Sequence, residues 1–518
     1  MFRKVVVANR GEIALRIVRG LRDLDIRSVA IYSDVDRVSR HVRYADEAHR
    51  VGMAPASDSY LNGDKIIEIA RECGADAIHP GYGFLAENAD FAEQCESAGL
   101  TFIGPSAESM RLLGDKLSAR EIAKKAGVPL VPGTNQISNL SEAMDAVRTI
   151  GLPLMIKAAA GGGGRGIRLV DREEDLEGAI SQAMHEAGAA FGNSSVYIEK
   201  ALTSVRHIEV QIIADNYGNI VPIGERECSI QRRHQKIIEE CPSAVLTPDQ
   251  RHAITRAAVR IASTASYTSL GTVEFLVTPE GDHYFLEVNT RLQVEHPVTE
   301  MAVGVDLLKD QILLASGEEL AYDESELPLR GCAIECRIVA EDPFNNFLPS
   351  VGKIVFTREP AGPGIRVESA LFDGMEVTPF YDSLIAKVTA WGRTREGARS
   401  RMLRALSEFR VVGVATNIPY LQQVLELDDF INANLDTGFL DRHFVTVEEP
   451  LAQQKEAAEI AALILVIGGA AGAPSNGALP GGVANGGRAA DSATPSTWRQ
   501  TMGGMPAGRG AGRWPKSI

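Results

Sequence analysis

The chain has 518 residues, too many for one hydrophobic core, and this length predicts about three domains. Apolar residues make up 45% and charged residues 23%, the ordinary balance of a soluble globular protein. The formal net charge of −15 argues against nonspecific nucleic-acid binding, which requires a basic surface, but it allows a local basic pocket. Six scattered cysteines without CxxC spacing indicate reduced thiols rather than disulfides or a zinc site.

Neither end of the sequence indicates export or membrane insertion. Residues 1–10 lead directly into a strand-like run of valines, without the apolar region of a signal peptide. The longest apolar run near the C-terminus, residues 460–467, is far shorter than the ~20 residues that span a bilayer. We therefore expect a cytoplasmic protein with no membrane partner.

The first 113 residues alternate short apolar strands with helices. Strands are predicted at 4–8, 28–32, 77–79 and 101–103, and helices at 13–24, 60–73 and 91–98. This alternation predicts a parallel sheet with crossover helices, an α/β fold. The first strand-to-helix turn has one glycine, Gly11, where a dinucleotide fingerprint needs three, so NAD binding is disfavoured. Residues 79–84, HPGYGF, follow a strand end, where such sheets bind ligands, although their glycines would also suit a plain turn.

A glycine-rich loop marks a smaller unit that follows two Val-Pro pairs. Strands are predicted at 154–158, 167–170 and 196–199, and a helix at 173–190. Residues 161–164 are four consecutive glycines, whose backbone N–H groups can approach phosphate oxygens closely. A flexible hairpin tip would have the same composition, but Lys157 and Arg165 favour phosphate. No Gly-Lys-Ser/Thr follows, so the loop is interpreted as a lid over a nucleotide rather than a Walker A loop.

A highly charged segment, ERECSIQRRHQKIIEE at residues 225–240, follows predicted strands at 207–215 and 220–224. We predict that it is a loop between two strands of a catalytic sheet. A solvated loop would have a similar composition. Its cationic and imidazole side chains would supply the basic pocket that anionic reactants need. These side chains are Arg232, Arg233, His234 and Lys236.

Residues 272–300 are predicted to form the active-site hairpin, with a turn at residues 279–281. Pairing about this turn sets Glu274 opposite Glu287 and Leu276 near Phe285. Two carboxylates across a ladder repel each other unless a cation such as Mg²⁺ lies between them. Strand alternation directs Leu286 and Val288 to a core. It directs the following side chains to the side of Glu274: Glu287, Asn289, Arg291, Gln293 and Glu295. A solvated strand face would also be polar, but the opposed glutamates favour an active site.

The last predicted unit, residues 331–446, is α+β. Strands are predicted at 332–339, 353–356 and 384–390, and helices at 394–409 and 417–425. Arg337 lies among apolar neighbours in a strand, where an arginine is rare unless it is paired. Residues 447–518 become rich in Gly, Ala, Pro and Ser, which predicts a flexible tail.

These motifs together resemble the biotin carboxylase family, the ATP-grasp component of acetyl-CoA, pyruvate and propionyl-CoA carboxylases. The segments that carry the resemblance are VVVANRGEIALRI, HPGYGFLAEN, KAAAGGGGRG, RHIEVQ, ERECSIQRRHQKIIEE, FLEVNTRLQVEHPVTE, AEDPFNNFLPSVGKI and YDSLIAKV, all within residues 1–446. The resemblance implies an N-terminal Rossmann-like (pre-ATP-grasp) domain at 1–113 and an ATP-grasp domain at 114–330. It also implies a mobile glycine-rich lid at 129–202 and a C-terminal biotin carboxylase domain at 331–446.

The resemblance also implies the roles of individual residues. The expected ATP-binding residues are Lys116, Lys157, Gly163, Gly164, Glu199, Lys200, Leu202, His207, Gln231, His234 and Leu276. The expected ligands of Mg²⁺ or Mn²⁺ are Glu274, Glu287 and Asn289. The expected bicarbonate pocket contains Lys236, Arg291, Gln293, the Val294 backbone and the general base Glu295. Tyr82 and Arg337 would face biotin, and Lys236, Arg291, Glu295 and Arg337 would be catalytic. Val205 departs from the family's usual proline but removes no functional group.

The activity implied is carboxylation of biotin with ATP and bicarbonate through carboxyphosphate, as the first half-reaction of a biotin-dependent carboxylase. Acetyl-CoA carboxylase of fatty acid synthesis is favoured over a pyruvate, propionyl-CoA or other carboxylase. Another ATP-grasp ligase, such as a carbamoyl-phosphate or purine-pathway enzyme, is disfavoured by the RLQVEH and HQK motifs together. A catalytically inactive scaffold is disfavoured because every required position is occupied.

No Met-Lys-Met biotinylation motif is present in the sequence. We therefore expect biotin on a separate carrier protein and a carboxyltransferase in trans. We also expect a homodimer with no nucleic-acid partner.

Overall fold

The computed structural model describes residues 1–134, 137, 140–158, 167–191 and 194–443. The chain divides after Glu449 into two units, and all described residues belong to the first. The predicted tail and Gly163 and Gly164 of the predicted lid lie outside the described residues. No described helix combines the length and the apolar character needed to cross a bilayer.

A five-stranded parallel sheet forms the N-terminal domain and confirms the α/β prediction. Its strands are Lys4–Val7, Arg27–Ser33, Glu47–Gly52, Ala77–His79 and Thr101–Phe102, in the spatial order third, second, first, fourth, fifth. Its helices are Gly11–Asp23, Arg40–Tyr44, Gly63–Glu72, Ala89–Ser97 and Ala107–Gly114. Val5, Val6 and Val7 are fully buried, as expected for a strand covered by helices on both faces. The edge strand Glu47–Gly52 was not predicted, because only one of its residues, Val51, is buried and the segment lacks an apolar run.

His41 in this domain is fully buried, and burial lowers its pKa to about 4. Between pH 6.5 and pH 4 the unfolded chain therefore binds a proton that the folded chain does not bind. The free energy of unfolding decreases as the pH is lowered through that window. At about 1.4 kcal/mol per pH unit, the loss is roughly 3 kcal/mol. We expect His41→Gln to lose less stability than the wild type in urea unfolding at pH 7 and pH 5. Equal losses in the two proteins would contradict this expectation.

An antiparallel sheet of eight strands runs through both remaining predicted domains. Its strands, in spatial order, are His283–Asn289, Ser269–Val277, Arg206–Ala214, Ile220–Arg232, Gln235–Cys241, Cys332–Val339, Leu384–Gly392 and Ile365–Ser369. Gln235–Cys241 pairs directly with Cys332–Val339, so the sheet is continuous across the predicted boundary at residue 331. This continuity brings side chains far apart in sequence, such as Lys236 and Arg337, onto one surface.

The helices and short strands that cover this sheet complete the fold. The α-helices are Lys116–Lys125, Pro248–Thr264, His296–Val303, Leu307–Ala315, Arg395–Glu408, Ile418–Glu426, Asp428–Ile431 and Phe439–Arg442. Three strand pairs lie outside it: Glu341–Asp342 with Leu348–Pro349, Gly352–Lys353 with Glu376–Val377, and Phe356–Arg358 with Arg410–Val412. Elsewhere in the fold, the described residues include short 3-10 helices at Asp34–Asp36, Ala56–Asp58, Glu173–Asp175 and Glu324–Glu326.

The smaller unit within the predicted lid has its own sheet and core. Strands Ile167–Val170, Leu154–Ala158 and Val196–Lys200 lie side by side in that order and are antiparallel, and helices Leu140–Ile150 and Leu176–Phe191 complete the unit. The three strands and the second helix agree with the prediction, although that helix begins at Leu176 after a 3-10 turn, and the helix Leu140–Ile150 was not predicted. Their buried residues form a cluster separate from the other cores, so this unit folds around its own apolar interior.

The prediction of a loop at residues 225–240 is wrong. These residues belong to the strands Ile220–Arg232 and Gln235–Cys241, which meet at Arg233 and His234, both with positive φ. The charges that suggested a loop are buried glutamates with arginine partners elsewhere in the chain. Glu225, Glu227, Glu239 and Glu240 pair with Arg251, Arg206, Arg337 and Arg395, respectively. Local sequence does not contain these partners, and a buried charge without one is highly unfavourable.

Candidate active site

Two opposed glutamates lie in the hairpin of Ser269–Val277 and His283–Asn289. Glu274 pairs directly with Glu287, which confirms that part of the prediction. The register then shifts, so that Phe275 pairs with Phe285 and Leu276 with Tyr284. The predicted proximity of Leu276 to Phe285 is therefore wrong by one residue. Leu286 is the extra residue of this bulge and is only half-buried, whereas Phe285 is 1% exposed and lies in the core instead.

The strand ends at Asn289, so the predicted alternation does not extend to Glu295. Glu295 instead precedes the helix His296–Val303, which Pro297 in its first turn helps to begin. The intervening side chains still converge on the hairpin. The Arg291 guanidinium donates to Gln293 Oε1 at 2.8 Å and to Asn289 Oδ1 at 3.1 Å, and Gln293 Nε2 donates to Glu274 Oε1 at 3.2 Å.

Lys236 is the central cation of the site. Its ammonium donates to Glu209 at 2.5 Å, Glu274 at 2.9 Å and Glu295 at 2.7 Å. Burial would lower the pKa of Lys236, but attraction to these three carboxylates outweighs burial and raises the pKa well above its usual value. Lys236 therefore keeps its charge in a site where only 13% of its side chain is exposed.

Arg337 and Lys236 hold the two carboxylate oxygens of Glu295 separately. Glu295 Oε1 accepts from Lys236, and Oε2 accepts from Arg337 at 2.8 Å. Arg337 also donates to Glu239 at 2.5 Å, so the arginine that the sequence left unpaired among apolar residues is paired twice. Burial raises the pKa of Glu295, but Lys236 and Arg337 together hold it well below its usual range. Glu295 is thus an ionised carboxylate at neutral pH, the form that accepts a proton.

The nucleotide residues expected from sequence form two groups in the structure. In one, His207 Nε2 lies 2.5 Å from Glu274 and its Nδ1 lies 2.7 Å from the Gln231 amide nitrogen. In the other, Lys157 donates to Glu199 at 2.5 Å across the lid strands, and Arg120 also bonds Glu199. Arg120 was not predicted, although its position four residues after Lys116 in the Lys116–Lys125 helix places both on one helix face.

The other expected nucleotide residues that the structure describes lie around these groups, and Leu276 pairs directly with His207 on the neighbouring strand. Lys200 donates to the carbonyl oxygens of Leu152 and Gly151. Leu202 and Leu276 are half-buried, and His234 is exposed at the tip of its turn. Lys116 lies at the start of its helix, and its charge partly offsets burial and repulsion from Glu274, which together raise the pKa of Glu287.

The opposed glutamates offer carboxylate oxygens of the kind that a divalent cation binds. Burial and repulsion from Glu274 raise the pKa of Glu287 above its usual value, which marks a local excess of negative charge. Carboxylate and amide oxygens are the ligands that Mg²⁺ prefers, and Asn289 lies two residues after Glu287 on the same strand. Within the part of the chain that the structure describes, two groups of His, Cys and Glu side chains bring their ligand atoms within 4.8 Å of one another. They are His207, Glu209 and Glu274, and Glu209, Cys228 and Glu295.

Three charged residues beside the predicted biotin and bicarbonate residues were not assigned by sequence reasoning. The Tyr82 hydroxyl donates to Glu12, and Glu12 lies 3.3 Å from the ammonium of Lys387. Glu87 pairs with Arg291 at 3.1 Å. The only signal in the sequence was that these residues lie in or beside the motifs of the family resemblance. Their partners are distant along the chain, and only the fold brings them together.

Three protein-family models match this chain one after another, in the order of its predicted domains. Residues 1–110 match the biotin carboxylase N-terminal domain, 115–323 the ATP-binding domain of the carbamoyl-phosphate synthase L chain, and 335–442 the biotin carboxylase C-terminal domain. Biotin carboxylase 1 of Bacillus subtilis is 51% identical over 447 residues, which cover 86% of this chain and 99% of that protein. A pyruvate carboxylase subunit of Methanothermobacter thermautotrophicus is 50% identical over 444 residues, covering 86% and 90%.

A solved structure is similar over the same region. It is the biotin carboxylase domain dimer of the Hydrogenobacter thermophilus 2-oxoglutarate carboxylase, in complex with MgADP, ADP and bicarbonate. Its sequence identity to this chain is 48%, its TM-score is 0.84, and the match covers 87% of this chain and 99% of that chain.

Proposed function

This chain belongs to the biotin carboxylase family of ATP-grasp ligases, which carboxylate biotin with ATP, and we propose that it uses bicarbonate through carboxyphosphate and modifies biotin carried on a separate protein. The observation that carries this proposal is Glu295, whose two oxygens are held by Lys236 and Arg337. One carboxylate thus adjoins two cations that would serve successive steps.

The nucleotide would lie between the lid and the opposed glutamates. Lys116, Lys157 and His207 would contact it, with Glu199 holding Lys157 in place at 2.5 Å. The other residues proposed for this site are Gly163, Gly164, Lys200, Leu202, Gln231, His234 and Leu276. Glu274, Glu287 and Asn289 would hold Mg²⁺ or Mn²⁺, which offsets charge on the transferring phosphoryl group. The Hydrogenobacter domain with MgADP and bicarbonate supports this arrangement.

Bicarbonate would be activated by Glu295, which is ionised and therefore able to take its proton. Lys236 and Arg291 would hold the resulting anion in line with the γ-phosphate, with Gln293 and the Val294 backbone completing the pocket. Cations fixed before the reaction stabilise developing charge without reorganisation. In this chain Lys236 is fixed by three carboxylates, and Arg291 by Glu87, Asn289 and Gln293.

Biotin would accept the carboxyl group beside Arg337. The carboxyphosphate releases CO₂ and phosphate, the phosphate takes the proton from biotin N1′, and the N1′ electron pair forms the new bond to CO₂. Arg337 would stabilise negative charge on the biotin ureido oxygen, and Tyr82 would line the same side. Closure over the site would protect carboxyphosphate from water.

We further propose that acetyl-CoA carboxylase is the parent complex, with a biotin carrier protein and a carboxyltransferase as partners. The name of the Methanothermobacter relative, one subunit of a pyruvate carboxylase, supports a complex of several chains and keeps pyruvate as the alternative acceptor. The dimeric Hydrogenobacter domain supports a homodimer. All six cysteines are free thiols, which supports a reducing compartment such as the cytoplasm.

The purified chain with free biotin, bicarbonate and MgATP is expected to release phosphate at a rate that biotin increases. It is expected not to carboxylate acetyl-CoA, propionyl-CoA or pyruvate, because no carboxyltransferase is present in the assay. Phosphate release and incorporation of labelled bicarbonate are measured in parallel. Carboxylation of any of these acceptors by the chain alone would contradict the proposed division of the reaction.

A further inference from the structure

Lys387 is a fully buried lysine that contacts the loop of proposed bicarbonate ligands. It lies in the strand Leu384–Gly392, directly opposite Arg337 on the neighbouring strand. Its ammonium donates to the carbonyl oxygen of Val294 at 2.6 Å and lies 3.3 Å from Glu12 Oε1. A buried ammonium is very unfavourable unless it is paired, so these contacts determine where this lysine lies.

The carbonyl that Lys387 binds belongs to the peptide unit between Val294 and Glu295. That unit is planar, so the hydrogen bond to its carbonyl restrains the orientation of the whole unit, and with it ψ of Val294 and φ of Glu295. The contact thereby restrains the position of the Val294 N–H, a proposed bicarbonate donor, relative to the Glu295 carboxylate, the proposed base. On its other side Glu295 is held as the first residue before the His296–Val303 helix.

The same ammonium also reaches the proposed biotin side. Glu12 Oε1 accepts the hydroxyl of Tyr82, and Lys387 Nζ lies 5.5 Å from the centre of the Tyr82 ring. An ammonium at this distance is attracted to an aromatic ring. One buried charge therefore contacts groups from the bicarbonate side and from the biotin side.

We propose that Lys387 is a positioning residue for biotin carboxylation, which holds the Val294–Glu295 peptide and, through Glu12, the Tyr82 side chain at a fixed separation. This inference rests on the proposed function, because it uses the bicarbonate and biotin sides assigned there. Lys387 itself touches neither substrate in this scheme. It acts on the distance between the site where CO₂ is released and the site where biotin receives it.

A purely structural role would have different consequences. Lys387 also interacts with buried carboxylates: Glu368 lies directly opposite it on the other neighbouring strand. Burial raises the pKa of Glu335 to about 7 against the opposing charge of Lys387, whereas Arg366 and Lys387 together outweigh burial and lower the pKa of Glu368. If this were its whole role, substitution would lower stability but leave the bicarbonate KM and the coupling of the two half-steps unchanged. These kinetic quantities therefore distinguish positioning from charge neutralisation.

The test compares Lys387→Met, which keeps the chain length without the ammonium, with Lys387→Arg, which keeps the charge. We expect Lys387→Met to raise the bicarbonate KM by about 10- to 100-fold, as for loss of a charged hydrogen bond. The ATP KM of the bicarbonate-independent reaction should not change. The carboxybiotin formed per phosphate released should fall, and Lys387→Arg should recover part of both losses.

Thr389→Val is the matched control. Thr389 is buried on the same strand and face, and its hydroxyl donates to Glu335 at 2.7 Å rather than to the bicarbonate loop. It should lose stability but keep the wild-type bicarbonate KM and coupling ratio. If Thr389→Val shifted the bicarbonate KM as much as Lys387→Met, the inference would be overturned.

The remaining outcomes separate the two levels of the hypothesis. A folded Lys387→Met with wild-type bicarbonate KM and coupling would overturn the inference alone. A wild type without biotin-stimulated phosphate release would instead contradict the proposed function. If Lys387→Met does not fold, Glu12→Gln is measured: it should lower the coupling ratio with an unchanged bicarbonate KM, and a wild-type ratio would overturn the inference.

Discussion

Glu295→Gln is expected to abolish both bicarbonate-dependent ATP cleavage and biotin carboxylation, while Arg337→Gln abolishes only the second. Glutamine keeps the size of Glu295 but cannot take the bicarbonate proton, so both activities should fall by roughly 10²–10⁴-fold, as for loss of a general base. Arg337 donates a hydrogen bond of 2.8 Å to Glu295 Oε2, the carboxylate oxygen that Lys236 does not bind. In our mechanism Arg337 acts on biotin after phosphoryl transfer. Phosphate release should therefore continue in Arg337→Gln without carboxybiotin.

Phosphate release and carboxybiotin formation are measured in parallel on both variants after confirming that each is folded. Glu335→Gln serves as the control for replacing a buried carboxyl group with an amide. It lies two residues before Arg337 on the same strand, and it accepts a hydrogen bond from Thr389, outside the proposed site. Retained bicarbonate-dependent cleavage in Glu295→Gln, or equal loss of both activities in Arg337→Gln, would refute the assignment of these residues to separate steps.

Lys236→Met is expected to cost both activity and stability. Three buried carboxylates would lose their shared cation, and removal of one partner from a buried ion pair costs roughly 3–5 kcal/mol in the free energy of unfolding. Loss of a fixed donor to the reacting anion should lower bicarbonate-dependent ATP cleavage by roughly 10²–10³-fold. Both quantities are measured on the same preparation, by urea unfolding and by phosphate release.

A second substitution separates these two effects. Glu209→Gln in the Lys236→Met background removes one of the three carboxylates that lost Lys236, while its amide oxygen can still accept from Arg226. Part of the stability should return, but none of the activity. Recovery of activity in the double variant would show that Lys236 only neutralises charge. Lys65→Met, at an exposed lysine paired with Glu68, should leave both quantities at the wild-type level.

Local sequence was sufficient to predict the structure where the environment of the side chains repeats regularly along the chain. The valine run and the alternation of strands with helices predicted the N-terminal parallel sheet, because strands buried on both faces must be apolar throughout. Turn residues at 279–281 and period-two alternation were sufficient to place Glu274 opposite Glu287. The family motifs identified the candidate site residues, because each motif carries its chemistry within a few consecutive positions.

Local sequence failed where charges are neutralised from a distance. Residues 225–240 were interpreted as a loop because they are dense in charge. They form strands instead, because their four glutamates are paired with arginines from other parts of the fold. The bulge at Leu286 and the end of the strand at Asn289 likewise depend on how neighbouring strands pair, so simple alternation predicted the wrong core residue.

The residues of this chain determined its fold class, its family and the chemical types available in the site. The tertiary structure decided which groups meet there: the two cations on the separate oxygens of Glu295, and the placement of Lys387 against Val294 and Glu12. The physical reason is that a buried charge is stable only beside its partner. In this protein those partners lie on different strands of one continuous sheet, or in another domain, and no local pattern in the sequence records such a pairing.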